Sequence, residues 1–231
     1  MTVGIEIDAG DLQSAIDARL AIWSDTEFAT RLWDRDPTLW FDPPRDEISN
    51  RLGWLNPGGR DGLGPIEAFA AEAIAGGLTD VVLMGMGGSS LAPEVFASVF
   101  SDTGGPTLTV LDSTHPDSVQ RVADAVDPST TLFLVASKSG TTLETLSFFR
   151  YLWSRASAVV DDPGSRFIAI TDPESSLAEL GRERSFRAVF LAPPDVGGRF
   201  SALIEFGLVP AALIGAILST AATPFVAAAS C

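Results

Sequence analysis

The chain has 231 residues, of which 46% are hydrophobic and 19% are charged. A chain with so large an apolar share can bury a core, which excludes a disordered or low-complexity protein. Its 30 acidic residues outnumber 15 basic ones, and the formal net charge of −15 argues against binding to nucleic acid or to a membrane surface.

Cysteine and histidine are scarce, which limits the chemistry available to the chain. Cys231 is the single cysteine, so we predict no internal disulfide and no cysteine-based metal site. A single histidine, His115, argues against a zinc site, which usually needs several His or Cys ligands. A Ser-His-Asp triad would have to use His115 as its histidine. The N-terminus carries acid in place of Lys or Arg and has no long apolar stretch, which predicts no signal peptide. We therefore expect a cytoplasmic protein that needs neither a metal nor a cofactor.

Residues 1–76 show helical spacing of apolar residues and no strong strand signal. We predict a helical N-terminal lead-in that packs on a core formed by the rest of the chain. Its tryptophans are interpreted as packing anchors, because a surface this acidic does not favour a platform on which bases stack. These tryptophans are Trp23, Trp33, Trp40 and Trp54. The predicted helices cover about 11–23, 28–36, 47–55 and 66–77.

Residues 77–218 have a different pattern, in which short apolar runs alternate with amphipathic segments. The runs are 80–85, 107–112, 131–137, 166–171 and 187–192, and helical stretches lie near 89–100, 116–126, 142–156 and 174–184. Buried strands joined by helical crossovers predict an α/β domain with a five-stranded parallel sheet and helices on both faces. A ligand is then expected at the carboxyl ends of the strands.

The C-terminal end has no charged residue between Phe206 and Cys231. Its length alone would permit a membrane span, but prolines and glycines interrupt it and no basic cluster flanks it. We predict a buried helix over 201–218 and an irregular uncharged tail over 219–231.

The first candidate loop follows the predicted strand 80–85 and reads GMGGSS. Glycines let a backbone approach a ligand closely, and the N–H groups of a helix start attract an anion. A dinucleotide fingerprint needs a third glycine where Ser90 stands, although Asp112 could still act as the ribose-binding acid. This loop by itself indicates an anion, a nucleotide or only a structural turn. The absence of a GK[ST] sequence excludes a Walker loop.

The second candidate loop follows the predicted strand 131–137 and reads SKSGTTLET. Four hydroxyls and one lysine lie between a strand and a helix start, which suits a phosphate monoester bound without a metal. The alternative is an N-cap by Thr141 or Thr142, with Glu144 or Thr145 completing a capping box. A cap needs one hydroxyl, so four of them favour phosphate binding.

Several segments together resemble the first sugar-isomerase (SIS) domain of the glucose-6-phosphate isomerase family. They are GMGGSSLAPEVF, LDSTHPDSV, SKSGTTLETLSFFRYLW, TDPESSLAE and DVGGRFSALIEFGLVPAALIG. The segment RLWDRDPTLWFDPPRDEISNRLGWL is similar to the bacterial form fused behind transaldolase. The likeness covers about residues 28–215 and implies a flavodoxin-like SIS fold, a sugar-phosphate ligand and a role in glycolysis and gluconeogenesis.

The resemblance also implies roles for individual residues. Arg199 matches the arginine that faces the reacting carbons, where a fixed guanidinium stabilises an enediolate. Gly88 and Ser89 match a substrate-contact pair, whereas His115 matches no catalytic position. The segment that holds the sugar phosphate is matched by Ser137, Lys138, Ser139, Gly140, Thr141 and Thr142.

The family's proton-moving carboxylate and ring-opening His and Lys lie in a second SIS domain, for which we find no counterpart here. The resemblance therefore implies the phosphate-binding half of the enzyme, inactive alone, with either a second copy or the missing SIS domain as partner. After Gly215 the likeness ends, and a frameshift or a truncated reading frame is our hypothesis for the tail. One alternative is a non-catalytic sugar-phosphate-binding SIS module. A second alternative is an NAD oxidoreductase, although the Ser/Thr-rich second loop argues against it.

Overall fold

Five parallel strands form one sheet in a computed structural model that describes residues 8–55, 63–100 and 104–216. The strands are β1 (Asp80–Gly85), β2 (Thr107–Leu111), β3 (Thr131–Ala136), β4 (Phe167–Thr171) and β5 (Ala188–Leu191), and their order in the sheet is β2-β1-β3-β4-β5. The predicted α/β class and five-stranded parallel sheet are confirmed, and each strand lies within one residue of the predicted run at either end.

The helices of the described residues alternate with these strands and also precede them. They are α1 (Gln13–Asp25), α2 (Phe28–Trp33), α3 (Asp46–Ser49), α4 (Gly64–Ala75), α5 (Leu91–Val99), α6 (Pro116–Ala125), α7 (Leu143–Ala156), α8 (Ser176–Glu183) and α9 (Glu205–Leu213). Short 3₁₀ turns join several of them, and the turn over Gly198–Leu203 leads into α9.

Both faces of the sheet are covered, which explains why the middle strands β1, β3 and β4 are mostly apolar rather than alternating. Val81 and Leu83 pack with α4 and α9 on one face, and Val82 and Met84 pack with α6, α7 and α8 on the other. Successive side chains of a strand point to opposite faces, so a strand buried on both sides needs apolar residues at most positions. Each residue of β3 is buried accordingly.

Aromatic rings fill much of the layer between the sheet and α7. The Phe167 ring on β4 lies 4.9 Å from Phe133, 5.1 Å from Trp153 and 5.6 Å from each of Phe149 and Phe186, between ring centroids. These spacings are in the range of favourable stacked and edge-on ring contacts. Phe167 is fully buried and therefore stands at the centre of this cluster.

The beginning of the lead-in does not pack as we expected. No residue of α1, α2 or α3 is buried. The interpretation of Trp23, Trp33 and Trp40 as packing anchors is wrong, because these side chains are 43%, 65% and 41% exposed. Helical spacing identifies an apolar face but not the surface that covers it. The lead-in joins the core from Leu52 onward, where Trp54 and α4 pack against the sheet.

The predicted helix over 201–218 is present as two shorter pieces, the turn over Gly198–Leu203 and α9. Most apolar residues of α9 are buried, and α9 packs against α4. Within the described ranges no helix is both long and apolar enough to cross a bilayer. The predicted tail over 219–231 lies outside the described residues.

Candidate active site

Three loops meet at the carboxyl edge of the sheet. Gly85 of β1 and Ala136 of β3 are register partners, so the loops that follow them leave the sheet side by side. The crossover from β1 leads to β2 on one side, while β3 lies on the other, and such a switch point is where open α/β sheets bind ligands. The third loop follows β5 and returns to the first, where the Ser201 hydroxyl lies within hydrogen-bond distance of the carbonyls of Gly88, at 2.8 Å, and Gly198, at 2.6 Å.

The first loop requires glycine at Gly88 because another backbone touches it. A Cβ added to Gly88 would lie 2.4 Å from the carbonyl carbon of Gly198 and 2.5 Å from its oxygen. The neighbouring Ser89 is half-buried, and its hydroxyl makes no hydrogen bond with any residue of the described ranges. The predicted pair thus lies at the junction of two loops, and the Ser89 hydroxyl can serve a ligand.

The second loop arranges its four hydroxyls as two pairs. Ser137 Oγ lies 2.9 Å from Thr142 Oγ1, and Ser139 Oγ lies 3.0 Å from Thr141 Oγ1. In each pair either oxygen can be the donor, so each pair has a hydrogen that can turn toward a ligand.

The capping alternative is wrong for this loop. Thr142 occupies the N-cap position of α7, but its side chain makes no capping hydrogen bond. Glu144 is half-buried in the first turn, and its carboxylate makes no hydrogen bond with another described residue, so no capping box forms. The first N–H groups of α7 therefore keep the partial positive charge that a helix start offers to an anion.

Gly140 fixes the turn between the two hydroxyl pairs. Its φ of 72° is in the left-handed region, and an added Cβ would lie 2.8 Å from the backbone nitrogen of Leu177. Ser176, in the first turn of α8, donates its hydroxyl hydrogen to the carbonyl of Gly140 at 3.0 Å. The segment after β4 thus supports the hydroxyl loop from behind.

Lys138 is paired within the protein. Its Nζ lies 2.7 Å from Asp172 Oδ1 and donates at 3.4 Å to the carbonyl of Pro193. The two side chains of the ion pair are only 20% and 21% exposed. One hydroxyl hydrogen of each pair and the first N–H groups of α7 are therefore the donors that this loop can offer, and a phosphate contact by the Lys138 side chain stays a prediction.

Asp172 was missed by sequence reasoning. It belongs to the segment TDPESS, which carried the family resemblance without an assigned role. An acid shortly before a Ser-Ser helix start was the available signal, but it does not reveal a partner 34 positions earlier.

Arg199 lies in the third loop, directly after Gly198. Its side chain is exposed, and its guanidinium forms no ion pair or hydrogen bond with any residue that the structure describes. The contact between Gly198 and Gly88 brings this loop to the first loop. The structure thus brings the Arg199 segment to the predicted Gly88–Ser89 pair at the same edge of the sheet as the hydroxyl loop.

His115 belongs to none of these three loops and is the N-cap of α6. Its Nδ1 accepts a hydrogen bond from the backbone N–H of Asp117 at 3.3 Å. Asp112, proposed as a ribose-binding acid, is exposed after β2. Among the described residues no group of three or more His, Cys, Asp or Glu is placed to hold a metal ion.

Comparison with known proteins gives consistent matches. A protein-family model described as phosphoglucose isomerase matches residues 68–217 of this chain. A glucose-6-phosphate isomerase of Rubrobacter xylanophilus is 33% identical over 200 residues, which are 82% of this chain and 44% of that protein. One of Thermus thermophilus is 34% identical over 176 residues, 75% of this chain and 42% of that protein. The chain thus spans less than half the length of these relatives.

Solved structures show the same fold. A crystal structure of a hypothetical protein from Thermus thermophilus superposes with a TM-score of 0.78 at 27% identity, covering 95% of this chain and 50% of that one. The crystal structure of a glucose-6-phosphate isomerase from Chlamydia trachomatis has a TM-score of 0.59 at 26% identity, covering 81% of this chain and 34% of that one.

Proposed function

The chain belongs to the phosphoglucose isomerase family, and on that premise we propose that it forms the phosphate-binding half of an enzyme that interconverts glucose 6-phosphate and fructose 6-phosphate. The observation that carries this proposal is the second loop, where two hydroxyl pairs and an uncapped helix start lie at the switch point of the sheet. Phosphate oxygens accept hydrogen bonds from such donors, and charge-assisted bonds are stronger than neutral ones.

Arg199 is proposed as the residue that acts on the reacting carbons. Aldose–ketose isomerisation takes a proton from one carbon and returns it to its neighbour, with negative charge on an oxygen of the enediolate between the two steps. A guanidinium already in place stabilises that oxygen without reorganising at the moment of reaction. Its freedom from protein partners in the described ranges leaves its five N–H donors available for this purpose.

Proton transfer is the part of the reaction for which we assign no residue of this chain. Glu144 is the acid nearest in sequence to the hydroxyl loop, and we propose that it favours the helix start by charge alone. A well-placed general base is worth about 10²–10⁴-fold in rate. We therefore expect the 231 residues alone to bind hexose phosphates and to turn them over slowly or not at all.

A cytoplasmic location belongs to the same proposal, because hexose phosphates are charged and remain in the compartment where they are made. A homodimer or a second SIS domain is proposed as the partner that completes the site. The dinucleotide alternative has no support in the family to which the chain belongs.

The proposal predicts which hydroxyls bind the phosphate. Replacing both Ser139 and Thr142 by Ala removes one oxygen from each hydroxyl pair, and we expect binding of fructose 6-phosphate to weaken by about 1–3 kcal/mol. Isothermal titration calorimetry without added metal measures this change. Ser147→Ala is the matched control, because it removes a hydroxyl of α7, the helix that follows the loop, and this hydroxyl donates only to the carbonyl of Leu143.

If the parent and the double variant bind fructose 6-phosphate with equal affinity, the phosphate does not bind at this loop. A non-catalytic sugar-phosphate-binding module remains the competing function, and it predicts the same titration. A coupled assay for fructose 6-phosphate formation separates the two, provided that the chain is tested both alone and joined to the C-terminal portion of a family member. Turnover only in the joined protein supports the isomerase.

A further inference from the structure

The loop that carries Arg199 is held from outside by a short piece of the lead-in. We propose that residues 51–54 are a positioning segment for Arg199, an inference that rests on the proposed function and extends it. Leu52 forms an antiparallel bridge with Val196, three positions before the arginine. The Trp54 ring stacks on Phe200, one position after it, with 5.2 Å between ring centroids. Arg199 is therefore flanked on both sides by residues that the lead-in contacts.

Two hydrogen bonds fix the approach to this loop, and the first of them is the backbone bond of the bridge between Leu52 and Val196. The backbone N–H of Gly53 donates to the carbonyl of Asp195 at 2.8 Å. The Arg51 guanidinium donates to the carbonyl of Pro194 at 2.9 Å. Asp195 itself receives the guanidinium of Arg35 at 3.3 Å. Each residue from 51 to 54 thus contributes to the contact with the loop, Leu52 and Gly53 through the same backbone bridge, Arg51 through its guanidinium and Trp54 through its ring.

Burial distinguishes this segment from the rest of the early lead-in. Leu52 is 6% exposed and Val196 is 1% exposed, whereas no residue of α1, α2 or α3 is buried. An added Cβ on Gly53 would lie 2.5–2.7 Å from the carboxylate atoms of Asp195, so the segment and the loop are in close contact. The lead-in is thus packed at the place where it supports the Arg199 loop.

Positioning matters here because Arg199 has no partner of its own in the described ranges. The position of its guanidinium then depends on the backbone on either side of Arg199. A displacement of about 1 Å at a catalytic centre can cost about 100-fold in rate, and a site is only as well placed as the residues that support it. We infer that Trp54 and Gly53 act on the reaction through Arg199, without touching the sugar.

The test compares two ligands, of which only one is expected to contact Arg199. An aldonic acid 6-phosphate carries a carboxylate where the enediolate charge develops, whereas inorganic phosphate needs only the hydroxyl loop. We expect Trp54→Ala to weaken binding of the sugar acid by about tenfold and to leave binding of inorganic phosphate unchanged. Trp54→Phe keeps a ring for stacking and should bind both ligands as the parent does.

A double-mutant cycle measures whether the effect passes through Arg199. In an Arg199→Ala background, Trp54→Ala should cause no further loss of sugar-acid affinity. A tenfold loss that persists in that background, or an equal loss for inorganic phosphate, would overturn the inference. A parent that binds neither ligand refutes the proposed function and the inference with it.

Discussion

Phe167→Ala is expected to lower the free energy of unfolding by about 3–5 kcal/mol, the range for removing a buried aromatic side chain. The loss combines the transfer energy of the ring with the cost of the cavity left behind. That cavity would open in the middle of the aromatic cluster, where four other rings surround Phe167 within 5.6 Å between centroids. Since small α/β domains have about 5–15 kcal/mol in total, this one substitution removes a large part of their stability.

Urea denaturation followed by circular dichroism measures the change. The slope of the unfolding free energy against urea concentration should be the same for variant and parent. Phe41→Ala is the control. Phe41 is exposed and has the Arg45 guanidinium 3.8 Å from its ring centroid, so its removal should cost less than about 1 kcal/mol. Similar losses for the two variants would show that the cluster is not the core of the domain.

Gly88→Ala is expected to weaken fructose 6-phosphate binding by more than about tenfold, because the methyl group would collide with backbone rather than with a flexible side chain. Its Cβ would come within 2.4–2.8 Å of three atoms of Gly198. The two loops must then separate, which also breaks the hydrogen bond from Ser201 to the Gly88 carbonyl. The change acts on the junction between the Arg199 loop and the first loop.

Gly198→Ala is a matched control from the other side of the same contact. Its Cβ would lie 3.7 Å from the Cα of Gly88, an ordinary van der Waals distance. We expect calorimetry to show binding within about twofold of the parent for this variant. If both alanine variants bind equally well, the close approach of the two loops is not needed by the ligand.

Much of the fold was predictable because burial on both faces of a parallel sheet leaves a dense apolar run in the sequence. Each residue of β3 is buried, and the run 131–137 was recognised for that reason. The hydroxyl loop was predictable from residue types alone, since four hydroxyls exceed what a helix cap uses. These signals are local, and local patterns determine strands, turns and helix starts.

Long-range partners were not predictable from such patterns. The pairing of Lys138 with Asp172, and the bridge between Leu52 and Val196, join positions that the chain brings together only when folded. An ammonium in a phosphate-binding motif suggests a ligand contact, and only the position of the carboxylate shows that it already has a partner. The exposed tryptophans of α1 and α2 were misjudged for a related reason, because apolar spacing does not identify the opposing surface.

If the second loop binds phosphate as we propose, its two hydroxyl pairs prepare it for the anion. Because Ser137 bonds to Thr142, and Ser139 to Thr141, each oxygen has a partner before any ligand arrives. The loop therefore needs no rearrangement of its heavy atoms to receive a phosphate, since rotating a hydroxyl hydrogen is enough. When one hydroxyl donates to an anion, it becomes a better acceptor for its neighbour, so the two bonds strengthen together. On the proposed function, this polarisation favours a doubly charged group over a neutral sugar.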